Sequence, residues 1–228
     1  HSIFLIEDAA HSLGSIYKGE RIGSKADLTT FSFFPTKNLT TGEGGAVSSN
    51  NHELLMRAKR FSRQGLVREK DEFFIQDQGP WHQEVHEFGL NYRLPDILCA
   101  LGTSQLSRIE AFKSRRTEIF EFYNSELRGT AFEAPTKRKY VDPMWHLYPA
   151  RVEAKSRLKI FESLRNSGIG VQVNYMPAYW HPVFQNLGYR KGQYPVSDAF
   201  FASEISLPMS FALSEEQMHK VVKVAKSI

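Results

Sequence analysis

The sequence predicts an α/β chain in two parts: sheet strands with connecting helices, followed by a smaller α+β domain. Three observations carry this. Short apolar and β-branched runs at residues 3–7, 29–34 and 46–49 have the character of strands in a covered sheet. A helical periodicity then runs from residue 95 to 127. Beyond a polar connection at residues 129–143, short strands and helices alternate to the end. The expected division is residues 1–127 for the first domain with its linking helix, and residues 128–228 for the second.

Each element has a local reason. Ile3-Phe4-Leu5-Ile6 is continuously apolar, as in a strand buried on both faces. Such a strand needs neighbours on both sides, so the chain is expected to begin inside a domain whose earlier part is absent. Residues 29–34 mix β-branched and aromatic side chains and stop at Pro35. Gly42-Glu43-Gly44-Gly45 makes a tight turn into the third strand. Asn50-Asn51 suits the cap of a helix reaching about Arg63. Residues 65–81 lack a period and are expected to form a long loop. Pro95 suits a first helical turn, and Leu98, Leu101, Ile109, Phe112, Ile119 and Tyr123 recur at helical spacing. This is one long helix or two joined near residues 104–107. The second part reads as strand 145–152, helix 155–166 stopped by Gly168, strand 169–174, helix 196–202, strand 205–207 and helix 215–228.

Composition narrows the function. The 228 residues are 41% hydrophobic and 24% charged, which suits a globular chain with a sizeable core. No apolar run approaches the roughly 18 residues of a membrane span. The net charge of +4 is mild, and Lys and Arg are scattered among Asp and Glu rather than gathered in a nucleic-acid-binding stripe. Cys99 is the single cysteine, so an internal disulfide and a multi-cysteine zinc site are excluded. In its apolar surroundings it reads as a small buried hydrophobe, compatible with a reducing cytoplasm.

Three residues suggest chemistry. Asp8 follows a predicted strand, where α/β sheets place ligand sites, although a turn or cap residue has the same signature. Lys37 follows the aromatic run Phe31-Ser32-Phe33-Phe34. There it is either an exposed loop lysine or a partly desolvated amine of lowered pKa. Ser32 offers a hydroxyl to an anion or is simply a small strand residue. The glycine-rich run 42–45 has neither the spacing of a Walker loop nor that of a Rossmann turn.

Four motifs occur in order: Glu7-Asp8-Ala9-Ala10-His11; Phe31-Ser32-Phe33-Phe34-Pro35-Thr36-Lys37; Thr41-Gly42-Glu43-Gly44-Gly45; and Gly89-Leu90-Asn91-Tyr92-Arg93. Together they resemble the DegT/DnrJ/EryC1/StrS family of pyridoxal-phosphate (PLP) sugar aminotransferases, over essentially the whole chain. The resemblance implies fold type I, with this chain as the C-terminal portion of the subunit. It implies that Lys37 carries PLP as a Schiff base, that Asp8 pairs with the pyridinium nitrogen, and that His11 lies against the ring 3-hydroxyl. It further implies that Ser32 contacts the cofactor phosphate and that Asn91 reaches the phosphate of a partner subunit's cofactor in a homodimer. The other readings are a satisfied core histidine for His11 and a loop-capping residue for Asn91. Arg93 reads as a structural or interface residue. Glutamate is the implied amino donor and a nucleotide-linked keto sugar the acceptor, in ping-pong order.

Gly168-Ile169-Gly170-Val171-Gln172-Val173-Asn174-Tyr175, His181-Pro182 and Glu204-Ile205-Ser206-Leu207-Pro208 resemble the branch that aminates UDP-4-keto-6-deoxy-N-acetylhexosamines for surface glycans. On that likeness Tyr175 and His181 line the sugar-nucleotide pocket, with hinge packing and a turn as their alternatives. Relatives begin far upstream and draw part of the phosphate cradle from there. The chain alone is therefore expected to be catalytically incompetent. The contrasting expectation is a non-catalytic remnant serving dimerisation or binding.

Overall fold

The structure is a computed structural model that describes residues 3–228. The chain divides into two compact units: residues up to Glu110 with Tyr140–Pro143, and Ala111–Lys139 with Met144–Ile228.

In the first unit, β1 (Ile6–Asp8) runs parallel to β4 (Leu28–Ser32), which pairs antiparallel with β5 (Gly45–Ser48). Between β1 and β4, β2 (Ile16–Tyr17) and β3 (Glu20–Arg21) form a hairpin. The helix α1 (His52–Phe61) follows β5, with the Asn51 side chain accepting from the Leu54 N–H at its start. The strand β6 (Leu66–Val67) pairs with β7 (Glu84–Val85), so the segment expected to be all loop contains a short ladder. The helix α2 (Asp96–Leu106) follows, and β8 (Val141–Asp142) returns to β2.

Two expectations fail here for one reason. Ile3, Phe4, Leu5 and Ile6 are 59–78% exposed, not buried. Cys99 on α2 is also exposed. Apolar sequence character becomes burial only where something packs on it. Among the described residues β1 pairs with β4 alone, and no residue of α2 is buried.

The second unit has the larger core. It is built by α3 (Ile109–Glu126), β9 (Tyr148–Arg151), α4 (Arg157–Asn166), α5 (Pro182–Asn186), α6 (Pro195–Ser203), β10 (Glu204–Leu207) and α7 (Glu215–Lys226). Phe112, Arg116, Ile119, Phe120 and Tyr123 form the buried stripe of α3 at helical spacing. Ile119, Phe120 and Tyr123 join Tyr148, Leu164, Ile205 and Val221 in one cluster. This stripe places nearly all of α3 with the second compact unit, which begins at Ala111. The helical stretch is two helices, with the break at Ser107-Arg108. Ser214 and Gln217 close a reciprocal capping box at the start of α7. Residues 169–174 do not form the expected strand. Their ladder is a single bridge between Gln172 and Ser206.

Candidate active site

The parallel register sets Asp8 opposite Thr30, so β1 and β4 end at the same edge of their sheet. The Ala9 N–H donates to the Thr30 carbonyl at 2.9 Å, carrying the pairing one residue past the strand. The Asp8 Oδ1 accepts from the Ala10 N–H at 3.0 Å, which orients the carboxylate at the turn leading to His11.

Lys37 stands on a closed loop between β4 and β5. The Phe33 N–H donates to the Gly44 carbonyl and the Thr41 N–H to the Phe33 carbonyl, at 2.9 and 3.0 Å. The Lys37 N–H donates to Phe34, closing a turn with Pro35 as its second residue. Leu39 and Thr41 are buried beneath the loop, and the Thr41 hydroxyl donates to the Glu43 carbonyl at 2.7 Å. Gly44 sits at φ +146°, and a Cβ there would lie 2.7 Å from the Thr41 Oγ1 and 2.9 Å from the Leu94 Cδ1. Glycine is required by both the backbone and the space. Next to Lys37, the Asn38 amide donates to the His11 carbonyl at 3.4 Å, linking this loop to the segment after Asp8.

The three groups sense one another. Lys37 is half-buried, and burial lowers its pKa against the opposing pull of the Asp8 carboxylate. The His11 pKa is lowered by desolvation first and by the Lys37 charge second, while Asp8 opposes both. The result is an amine of reduced basicity with a carboxylate and an imidazole in electrostatic range. That is the combination an imine-forming lysine requires.

The remaining expected residues are more dispersed. Ser32 closes β4, and its Oγ accepts a long 3.4 Å bond from the Phe34 N–H. Asn91 forms a backbone bridge with Arg63, and its Oδ1 accepts from the Arg93 Nε at 2.9 Å. Tyr175 and His181 belong to the second unit. Tyr175 is 62% exposed. His181 precedes α5 and its carbonyl accepts from Phe184 and Gln185.

The sequence reading missed two features of the first unit. A cleft of about 380 Å³ is lined by Lys59, Arg60, Arg63, Arg68 and Arg93, with Glu69 and Asp96. Among the described residues, Arg60 alone of these cations has a carboxylate at ion-pair distance, that of Glu72. Its Nε is nevertheless buried without an acceptor. The charge that looked scattered is thus concentrated, and the signal was the basic spacing along residues 57–63. The second feature is buried Glu84, which accepts from the Phe74 and Ile75 N–H groups at 2.8 and 2.7 Å. His82 and His86 bond the same carboxylate at 3.0 and 2.6 Å. Among the described residues no cluster of His, Cys, Asp or Glu is arranged to hold a metal.

The donor set fits PLP. A low-basicity amine suits its aldehyde, a carboxylate suits its ring nitrogen, an imidazole suits its hydroxyl, and the Ser32 hydroxyl suits its phosphate. A model of the DegT/DnrJ/EryC1/StrS aminotransferase family matches residues 1–226. The chain is 39% identical over 214 residues to the UDP-4-amino-4,6-dideoxy-N-acetyl-beta-L-altrosamine transaminase of Campylobacter jejuni, covering 91% of this chain and 54% of that protein. Among solved structures, the sugar aminotransferase Spr1654 of Streptococcus pneumoniae in its PMP form gives a TM-score of 0.90 at 33% identity, covering 99% of this chain and 58% of that one. PseC of Helicobacter pylori, an aminotransferase of pseudaminic-acid biosynthesis, gives 0.88 at 31% identity, covering 100% and 61%. The chain thus spans little more than half the length of these relatives.

Proposed function

The chain belongs to the DegT/DnrJ/EryC1/StrS aminotransferase family, and from that premise we propose that it carries the catalytic lysine of a PLP-dependent nucleotide-sugar aminotransferase. The observation that carries this reading is the grouping of Asp8, His11 and Lys37, with Lys37 reduced in basicity by burial. Lys37 would hold the cofactor's aldehyde carbon. Asp8 would accept the ring N–H and keep that nitrogen protonated. His11 would face the 3-hydroxyl and Ser32 the phosphate. Asn91 would serve the phosphate of a partner subunit's cofactor, which requires a homodimer.

When bound, PLP supplies an electron-withdrawing ring that stabilises negative charge on a neighbouring carbon. The amine of Lys37, when free, would act as the general base that takes the proton from the amino donor's α-carbon and holds it for return to the reacting carbon. Its lowered pKa keeps more of the amine unprotonated near neutral pH, which a general base needs. Asp8 offsets part of that lowering.

The proposed amino donor is glutamate and the acceptor a UDP-linked 4-keto-6-deoxy-N-acetylhexosamine, in surface-glycan synthesis. The chemical class follows the name of the Campylobacter transaminase. The cation-lined cleft supports an anionic substrate and suits a diphosphate. Tyr175 and His181 are proposed as further contacts to the nucleotide sugar. We place the reaction in the cytoplasm; no helix among the described residues is long and apolar enough to cross a membrane.

The test is amine transfer by the complete translation product, supplied with PLP, glutamate and the keto sugar. One 2-oxoglutarate should form per amino sugar, and Lys37→Ala should lower turnover by at least about 100-fold. A Lys37→Ala protein that turns over at the wild-type rate would overturn the assignment.

A further inference from the structure

Glu204 is a fully buried carboxylate that the proposed chemistry does not use. It opens β10 opposite Arg151 of β9, whose guanidinium is engaged by Glu133. The Glu204 Oε1 accepts from the Ser206 hydroxyl at 2.5 Å, and its Oε2 from the Asn174 N–H at 2.7 Å. Burial raises the pKa of this carboxyl, while Ser206, Asn174 and the Arg157 charge pull it back. A buried carboxylate is a costly way to bind two neutral donors, since core packing alone is served better by an apolar side chain.

Its position gives a reason. Residues 172–174 run beside β10, and their backbone pairing consists of the two bonds between Gln172 and Ser206, at 3.3 and 2.8 Å. Two residues on, the Asn174 N–H meets a side chain in place of a strand carbonyl. The Glu204 carboxylate thus extends the ladder by one rung. The chain leaves the core at that rung: Val171 is fully buried, whereas Tyr175 is 62% exposed and Met176 37%.

We propose that Glu204 is a positioning residue that fixes Asn174 so that Tyr175 is presented to the nucleotide sugar. This rests on the reading of Tyr175 as a substrate contact. Glu204 itself is buried and touches no substrate. Its role requires an acceptor aimed at the Asn174 N–H and does not require negative charge. Glutamine can meet that need, with its Oε1 accepting from Asn174 and its Nε2 donating to the Ser206 Oγ. Leucine fills the same space and offers no acceptor.

The experiment compares wild type, Glu204→Gln, Glu204→Leu and Tyr175→Phe. Amide hydrogen exchange on this chain is the first readout. Glu204→Leu should raise exchange at Asn174 by about tenfold or more, while Glu204→Gln stays near wild type and Ile205 and Tyr148 stay protected. Unchanged exchange at Asn174 in Glu204→Leu overturns the proposal. So does a uniform rise across β9, β10 and α7, which would mark Glu204 as a core residue only. The second readout is steady-state kinetics of the complete translation product. Glu204→Leu and Tyr175→Phe should each raise the KM for the nucleotide sugar severalfold with kcat less affected, and Glu204→Gln should restore it. Local loosening with an unchanged KM in both variants removes the substrate role of Tyr175, and the proposal with it. A product inactive even as wild type on every keto sugar, with exchange behaving as stated, defeats the aminotransferase reading while leaving the Glu204 contact intact.

Discussion

Replacing Gly44 by alanine tests whether the loop carrying Lys37 is as tightly set as its contacts indicate. At φ +146° an L side chain is strained, at a cost of about 1–3 kcal/mol. The new Cβ would lie 2.7 Å from the Thr41 Oγ1 and 2.9 Å from the Leu94 Cδ1, so both must move. Moving Thr41 sacrifices its bond to the Glu43 carbonyl, about 0.5–1.5 kcal/mol. Thr41 is 1% exposed and has little room to yield. Together these give a destabilisation of about 2–4 kcal/mol. Gly42→Ala is the control: φ is +82°, nothing lies within 4 Å of its Cβ, and only the backbone penalty of about 1–2 kcal/mol applies. Urea unfolding followed by far-UV circular dichroism gives the two values, and amide exchange over residues 29–48 localises the effect. If Gly44→Ala costs no more than Gly42→Ala, the close packing of Thr41 and Leu94 around this turn is wrong.

Further outcomes follow from other groups. Arg116 is 5% exposed and donates to the carbonyls of Trp145, His146 and Met209 at 3.0–3.3 Å, so Arg116→Met should destabilise the second unit by about 2–4 kcal/mol in urea unfolding; a neutral variant would contradict this. Removing the charge of Lys37, as in Lys37→Gln, should raise the His11 pKa in an NMR titration, and Asp8→Asn should lower it further; an unmoved His11 would mean that the three groups are not neighbours. Burial pushes the Glu84 pKa up, but the bonds from His82 and His86, then from Phe74 and Ile75, outweigh it and bring the value to about 2. Its folded pKa is depressed, so the unfolded chain binds more protons between roughly pH 4.5 and 2. Its contribution is fully present above that window and is lost as pH falls through it. Acid unfolding of Glu84→Gln should therefore be flatter in that range than wild type.

Much of the second unit was legible because α3, α4 and α7 bury their inner faces within the unit. The spacing of Phe112, Ile119 and Tyr123 locates α3 and its inner face. The strand expected at residues 169–174 was apolar enough, but its ladder ends where Glu204 takes the Asn174 N–H. Local composition does not encode that substitution of side chain for backbone. The hairpin of β2 and β3 went unread, although Lys18-Gly19 carries the turn at φ +51° and +83° and the glycine signals it. Ile3–Ile6 and Cys99 show the converse, since apolar sequence does not say what covers it. Asp8, His11 and Lys37 were identified through ordered motifs, and the parallel pairing of β1 and β4 brings their segments to one edge. The cationic cleft needs α1, β6 and residues 93–96 to converge, which no single stretch of sequence reveals.

The central claim is that Lys37 differs chemically from every other lysine in the chain. Limiting PLP followed by borohydride reduction and peptide mapping measures this directly on the 228-residue chain. Label concentrated on Lys37 is the predicted result. Label spread evenly over the lysines, with Lys37 no more reactive than an exposed residue such as Lys155, would contradict it.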